Sequence, residues 1–221
     1  MSFNEATFDY LADLGANNTK AWFEENRERY ETFWKAPALD FIAAAAERMA
    51  RLEPSLRAEP RLNGSLRRIN RDVRFSTDKS PYSARLHLVF WTGDHPNRSP
   101  GMHVVLSPEG VGYGAGQWGI APERLQDLRE RIVAENDEAG LDHALRQAER
   151  VGCRLGDPDL KRVPKGFDAD GPQSELLRYK GFVARTYDAP AEAAKIFGPE
   201  GVTWVLEQTK ALLPLIRWLS S

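Results

Sequence analysis

The segment 67–85, RRINRDVRFSTDKSPYSAR, concentrates the side chains best suited to bind an anion. It carries six cations and two carboxylates, a surplus of +6 − 2 = +4 in a chain whose formal net charge is −2. Arginine forks match the oxygens of phosphate and carboxylate groups, and lysine adds a compact charge. The segment therefore predicts a binding site for a small anionic molecule.

A second basic segment, 161–180, has a smaller surplus of +5 − 3 = +2 and would close over the first if both belong to one site. A solvated charged loop is the simpler interpretation of this second segment. The candidates for general acid or base chemistry are Asp72, Asp78 and His87. The predicted ligand-binding residues are Arg68, Arg71, Arg74, Lys79, Tyr82, Lys165, Arg178 and Lys180.

Strand-like alternation would divide the first segment into two sides if 67–75 is extended. Arg71 would then interrupt an apolar side, where a charged group needs a partner or a cavity. That side consists of Arg67, Ile69, Arg71, Val73 and Phe75, and the opposite side of Arg68, Asn70, Asp72 and Arg74. The following residues, 76–83, form either a capped turn or an anion-binding nest with Arg74 and Lys79.

Three hypotheses are consistent with these residues. The favoured one is an anion-binding protein or an enzyme that acts on a phosphorylated or carboxylated small molecule. The alternative is a non-catalytic module whose basic face docks an acidic partner or single-stranded nucleic acid, with a steep salt dependence. The third is structural: Arg71 and Arg74 would be buried and paired with carboxylates of other segments such as Glu24, Asp168 or Asp170, with no cavity nearby. Asp72 could also clamp one arginine on its own side of the segment.

The elements that must position these residues follow from periodicity. The spacing predicts helices at 4–14, stopped by Gly15, at 19–35 and from Pro37 to 52. Alternation then predicts strands at 84–91, 101–107 and 111–119, the last with glycines that indicate a bulge or a close backbone approach. The remaining predictions are helices at 121–136, 138–151 and 173–179, a strand at 182–188 and a long C-terminal helix.

This order predicts an α+β fold with a mostly antiparallel sheet in the middle of the chain, packed by N-terminal and C-terminal helices. The length of 221 residues favours one domain, 1–221. Within it, a helical part covers 1–58, a strand-rich part 62–118, and a helical and mixed part 120–221.

Composition narrows the cellular setting. No apolar run is long enough for a membrane span, and the first residues lack the pattern of a signal peptide, so we expect a cytoplasmic protein. The single cysteine, Cys153, fits a reducing compartment. A pI of about 6.1 makes general nucleic-acid binding an unfavourable interpretation. A cofactor and the oligomeric state are left open.

Known catalytic patterns are largely missing. The glycine-rich stretch 111–119 lacks the Gly-Lys-Ser/Thr ending of a phosphate loop, and no serine lies in a Gly-x-Ser-x-Gly elbow. His87 and His103 could face each other on neighbouring strands. We expect a packed, hydrogen-bonded pair there and no metal site, because two histidines alone do not define one.

Four ordered blocks resemble one known family. They are NNTKAWFEENRERY, RINRDVRFSTDKSPYSARL, YGAGQW and LKRVPKGFDADGPQSELLRYKGF. Together these blocks resemble the family catalogued as domain of unknown function 2461, over almost the full length. The resemblance implies a single-domain soluble protein of bacterial or fungal type, and no reaction. Two positions depart from the family pattern: Gly171 stands where a histidine is expected, and Pro122 lies further behind Trp118 than the expected proline.

Overall fold

A four-stranded antiparallel sheet forms the centre of the protein in a computed structural model, which describes residues 2–135, 140–186 and 190–221. The strands follow one another in space as they do along the chain, in the order β1-β2-β3-β4. Their bounds are β1 Leu86–Trp91, β2 Gly101–Ser107, β3 Gly110–Gln117 and β4 Phe182–Arg185. With helices before and after this sheet, the predicted α+β class is confirmed.

Alternation along the strands separates a core face from a second face. Leu88 on β1 pairs with Val104 on β2, which pairs with Tyr113 on β3, and these residues belong to or pack on the hydrophobic core. Neighbouring positions in the same strands, such as His87 and Val105, point to the other face. The two faces therefore differ in chemistry, one apolar and one containing the histidines.

The helices bury the core face of the sheet. The long helix α7 packs against β2 and β3, and α1 also contacts β2. A single cluster of buried side chains connects these helices with the sheet. The helix bounds are α1 Glu5–Ala16, α2 Lys20–Glu25, α3 Arg27–Arg29, α4 Ala36–Leu52, α5 Pro122–Ala134, α6 Leu141–Glu149 and α7 Gly198–Ser220.

The N-terminal helices differ from the prediction in two places. The first helix continues through Gly15 to Ala16, and Asn17 caps it by donating to the carbonyl of Asp13. The predicted helix 19–35 is broken at Asn26, whose side-chain amide donates to the carbonyl of Trp22. A π-helical stretch, Tyr30–Lys35, then leads directly into α4.

The later elements are shorter than predicted. Two of the predicted helices are confirmed in their described parts as α5 and α6, and the residues 136 and 138–139 lie outside the described residues. The helix predicted at 173–179 is only a 3₁₀ turn, Leu176–Arg178. The strand predicted at 182–188 is β4, and residues 187–188 of that prediction also lie outside the described part.

The chain between α4 and β1 contains no regular strand among the described residues, although it runs beside the sheet. Leu66 bridges to Leu88, and the amide of Arg67 donates to the carbonyl of His87 at 2.9 Å. Beyond that point Asn70 bridges to Tyr82 and closes the loop 71–81. This loop projects past the beginning of β1.

None of the helices described is both long and apolar enough to cross a membrane.

Candidate functional site

The arginines of the loop 71–81 are paired with carboxylates of the same loop. Arg71 Nη1 donates to Asp78 and, at 3.2 Å, to the carbonyl of Ser80. Arg74 binds Asp72 through two hydrogen bonds, of 2.9 Å and 2.6 Å. The structural hypothesis placed the partners in distant segments, and that detail is wrong because both carboxylates lie within seven residues of their arginines.

Asp78 organises the turn that follows. Its Oδ1 accepts hydrogen bonds from the amide and the hydroxyl of Ser80, at 2.9 Å and 2.6 Å. These bonds and the one from Arg71 lower the pKa of Asp78 to about 2. Lys79 donates to the carbonyl of Val73 at 2.9 Å. The capped-turn interpretation therefore accounts for these contacts without a ligand.

Tyr82 anchors the loop to the N-terminal helices. Its ring is 6% exposed and stacks on Phe23 at 4.1 Å between centroids. Its backbone amide and carbonyl bond to the side chain of Asn18, at 3.0 Å and 2.8 Å. Tyr82 thus holds the loop in place, and only a small part of its surface faces solvent.

Phe75 contradicts the proposed alternation. The pattern placed Phe75 on the apolar side together with Ile69. In the structure Phe75 is 95% exposed, whereas Ile69 is 3% exposed. The reason is that the chain turns after Val73 and does not continue as an extended strand. Arg68 is exposed on the other side, as the pattern predicted.

The second basic segment joins the sheet at a different end from the first. It leads into Phe182, which pairs with Gln117 at one end of the sheet. The first segment leads into Leu86, which pairs with Leu106 at the opposite end. The strands that follow the two segments therefore begin at opposite ends of the sheet, and a site shared by both segments stays a prediction. The predicted residues Lys165 and Lys180 are exposed, and Arg178 is half-buried.

A concave surface near the loop, of about 570 Å³, includes part of the predicted site. Arg71, Asp78 and Tyr82 line this loop groove, together with Arg85 and Glu109. Arg68, Arg74, Lys79 and Asp72 are not among its lining residues. The binding role of all these residues stays a prediction, but the structure does not gather the four cations on one cavity.

A second concave surface, of about 540 Å³, lies on the face of the sheet opposite the core. We call it the sheet groove. Glycines form part of its floor, because Gly112 and Gly114 occupy alternate positions of β3 on this face. An added Cβ at Gly114 would lie 2.4 Å from the carbonyl oxygen of Ala184, whereas one at Gly112 would make only an ordinary contact of 3.6 Å. Side chains on β3 therefore do not fill the groove.

A histidine pair lies in the sheet groove. His87 Nε2 and His103 Nδ1 are 2.9 Å apart, which confirms the expected hydrogen-bonded pair. Burial, with a smaller contribution from the charge of Arg67, lowers the pKa of His87 to about 3 and that of His103 to about 4. At neutral pH both rings are neutral, so one donates to the other. Each ring keeps a second nitrogen outside this bond, His87 Nδ1 and His103 Nε2.

Cations outnumber carboxylates around the sheet groove. Two arginines, Arg85 and Arg185, and one carboxylate, Glu109, line it. A hydrogen bond from Ser107 lowers the pKa of Glu109, and the charge of Arg85 contributes to that shift. Arg67 lies behind the histidines and donates to the carbonyl of Pro96 at 2.9 Å. Its charge adds to a positive field that disfavours protonation of the histidines and favours an anion.

Sequence reasoning identified only His87 in this groove as a candidate, and it noted His103 as a possible neighbour. It missed Arg85, Glu109 and Trp118 as lining residues. The pattern Gly-Val-Gly-Tyr-Gly-Ala-Gly at 110–116 was the available indication, since alternate glycines must share one face of a strand. That pattern does not show which face of the sheet the helices leave uncovered.

The remaining candidate chemistry is limited. Among residues 2–135, 140–186 and 190–221, no three His, Cys, Asp or Glu side chains are grouped as a metal ion would require. Cys153 is buried, and burial raises the pKa of its thiol to about 12. A thiol in that state is a poor nucleophile.

These features define an α+β protein with a glycine-floored, arginine-lined groove on the second face of its sheet. The family model described as "Conserved hypothetical protein (DUF2461)" matches residues 6–218. The chain belongs to this family. No curated protein and no solved structure matches it.

Proposed function

We propose that the protein binds a small phosphorylated or carboxylated molecule in the sheet groove. The observation that carries this proposal is a groove of about 540 Å³ whose charged lining residues are two arginines and one glutamate, above a histidine pair that stays neutral. This volume lies within the range of about 300–1,000 Å³ that is usual for small-molecule sites. Neutral imidazole nitrogens supply one donor and one acceptor to such a ligand.

Binding is better supported than proton transfer by His87. A general base is most effective when its pKa lies near the working pH. The pKa of His87 is about 3, because burial and the neighbouring cation disfavour its charged form. The predicted acid or base roles of Asp72 and Asp78 compete with their bonds to Arg74 and Ser80. The proposed function is therefore anion recognition, and no particular reaction is proposed.

Isothermal titration with pyrophosphate, citrate and phosphate esters tests the proposal. We expect binding to weaken by roughly tenfold in Gly112→Val, since this position faces the groove and a Cβ there makes only ordinary contacts. Arg85→Ala should weaken it similarly, because it removes a cation from the lining. The matched control is Arg68→Ala, an exposed arginine outside this groove.

Loss of binding in Arg68→Ala together with normal binding in Gly112→Val would refute the sheet groove and place the site on the basic loop. Absence of binding to every anion of the panel would refute the proposal as a whole. Thermal unfolding of each variant separates loss of binding from loss of the fold.

One observation favours the docking alternative as a second candidate. Phe75, at the tip of a basic loop, is almost fully exposed and lies 5.8 Å from the guanidinium of Arg74. Such a tip suits an acidic partner with an apolar contact. Fluorescence anisotropy with a poly-glutamate peptide and a labelled dT20 oligonucleotide tests this candidate. Binding that falls steeply with salt and is lost in Phe75→Ser supports docking, and unchanged binding in that variant contradicts it.

A further inference from the structure

The sheet groove has an aromatic wall in addition to its charged lining. Trp118 follows the last residue of β3, lines the groove and is 55% exposed. It is one of three large hydrophobic residues exposed among those described, with Phe75 and Val133, and of the three only Trp118 lines the groove. An exposed tryptophan beside a concave surface offers a flat apolar face to a ligand.

The backbone around Trp118 holds this ring in place. Gly119 has a φ of 63°, a left-handed conformation that fixes the turn after β3 and favours glycine. On the neighbouring segment, an added Cβ at Gly181 would lie 3.4 Å from Cε3 of Trp118, so the indole lies close to that backbone. One part of the indole is therefore covered by protein, and the exposed remainder borders the groove.

The dimensions of the groove suit a ring and an anion together. Arg85 precedes Leu86 and so lies in the row of Ser107 and Gly110. Trp118 follows eight residues after Gly110, roughly 26 Å along the strand, so a ligand that contacts both Arg85 and Trp118 must be extended. Arg85 lies at the end of the sheet where β1 begins, whereas Trp118 lies beyond the end of β3. Since β1 and β3 run parallel to each other on either side of β2, these two side chains approach the groove from opposite ends.

We propose that the ligand of the sheet groove carries a planar aromatic or heteroaromatic ring, which stacks on Trp118, joined to an anionic group that faces Arg85. The glycine positions Gly112 and Gly114 let such a flat molecule lie close to β3, since these two residues contribute no side chain to the groove. A nucleoside monophosphate, in which a ribose separates the base from the phosphate, has this chemistry. This inference rests on the proposed anion binding and adds the class of ligand to it.

Matched ligand pairs that differ by the ring test the inference. The pairs are AMP with ribose 5-phosphate and UMP with ribose 5-phosphate, each titrated by calorimetry. Stacking on an aromatic side chain changes affinity by roughly 5- to 150-fold. We expect the ring-bearing member of at least one pair to bind more tightly by that factor.

Variants of Trp118 assign the effect to the ring. Trp118→Ala should remove the advantage of the ring-bearing ligand while leaving its ringless counterpart unchanged, and Trp118→Phe should keep most of the advantage. Phe75→Ala is the control, because it removes an exposed aromatic ring outside the groove. The exposure of Trp118 makes a loss of folding unexpected, and circular dichroism checks it.

The possible outcomes separate this inference from the proposed function. If both members of every pair bind equally and Gly112→Val weakens both, anion binding stands and the ring inference is overturned. If Trp118→Ala weakens both members of a pair equally, the ring inference is also overturned. If no ligand binds the unmodified protein, both proposals fail together.

Discussion

The histidine pair makes the stability of the fold depend on pH in a defined direction. The pKa values of His87 and His103 are lowered to about 3 and about 4, first by burial and then by neighbouring positive charge. The unfolded chain has histidine pKa values near 6.5. Between these limits the unfolded state binds protons that the folded state does not, so stability falls as the pH drops below about 6.5.

The loss of stability depends on how far the pH lies below the histidine pKa of the unfolded chain. At pH 5 the difference is about 1.5 pH units, and each unit corresponds to about 1.4 kcal/mol per group, which gives an upper value of about 2 kcal/mol for each histidine. The loss is complete only as the pH approaches the folded pKa values. Replacing both histidines with glutamine should therefore flatten the pH dependence.

Urea unfolding followed by tryptophan fluorescence at pH 7, 6 and 5 measures this difference. Comparison of the unmodified protein with the double variant His87→Gln/His103→Gln cancels the contribution of the carboxylates, which both proteins share. We expect the unmodified protein to lose up to about 4 kcal/mol more than the double variant between pH 7 and 5. Equal losses in the two proteins, or resonances of His87 and His103 that titrate near pH 6.5, would refute the reasoning.

Three further substitutions test how the site is positioned. Asn18→Ala should reduce the free energy of unfolding by about 1–3 kcal/mol, because it removes two hydrogen bonds to the backbone of Tyr82. Gly114→Ala should reduce it by about 1–3 kcal/mol through a backbone clash, whereas Gly112→Ala should not destabilise the fold. Phe75→Ser should change stability by less than about 0.5 kcal/mol, since the ring is almost fully exposed. Urea unfolding at pH 7 measures all of them.

Each of these expectations has a definite contrary result. A stable Asn18→Ala protein would show that Tyr82 is held by its ring contacts alone. Equal stability of the two glycine variants would contradict the close approach between β3 and β4. A large loss in Phe75→Ser would show that this ring is packed in solution.

The sheet was predictable because its pattern is local. Leu86, Leu88 and Phe90 alternate with other residues on β1, and this period specifies a strand with one core face. The break at Asn26 was not predictable in the same way, since the aromatic spacing of 19–35 continues across it. The exposure of Phe75 also results from a turn, because alternation does not determine which side chains are buried in a turn.

The types of residue in the site were easier to predict than their positions in the fold. The charge count of 67–85 does not reveal that Asp72 and Asp78 engage Arg74 and Arg71, because pairing depends on the conformation of the loop. The sheet groove combines β1, β2, β3 and β4, so its shape arises only from strand order and from the face that the helices cover. Sequence periodicity identifies each strand but does not determine that arrangement.

The most direct test of the central claim is an NMR titration of the histidine side-chain nitrogens with pyrophosphate and with phenyl phosphate. Binding in the sheet groove predicts saturable shifts at His87 and His103, accompanied by shifts of the Gly112 and Gly114 amides, with little change at Arg74 and Lys79. Shifts confined to the loop 71–81, or none at any residue, would contradict the assignment of the binding site to the sheet groove.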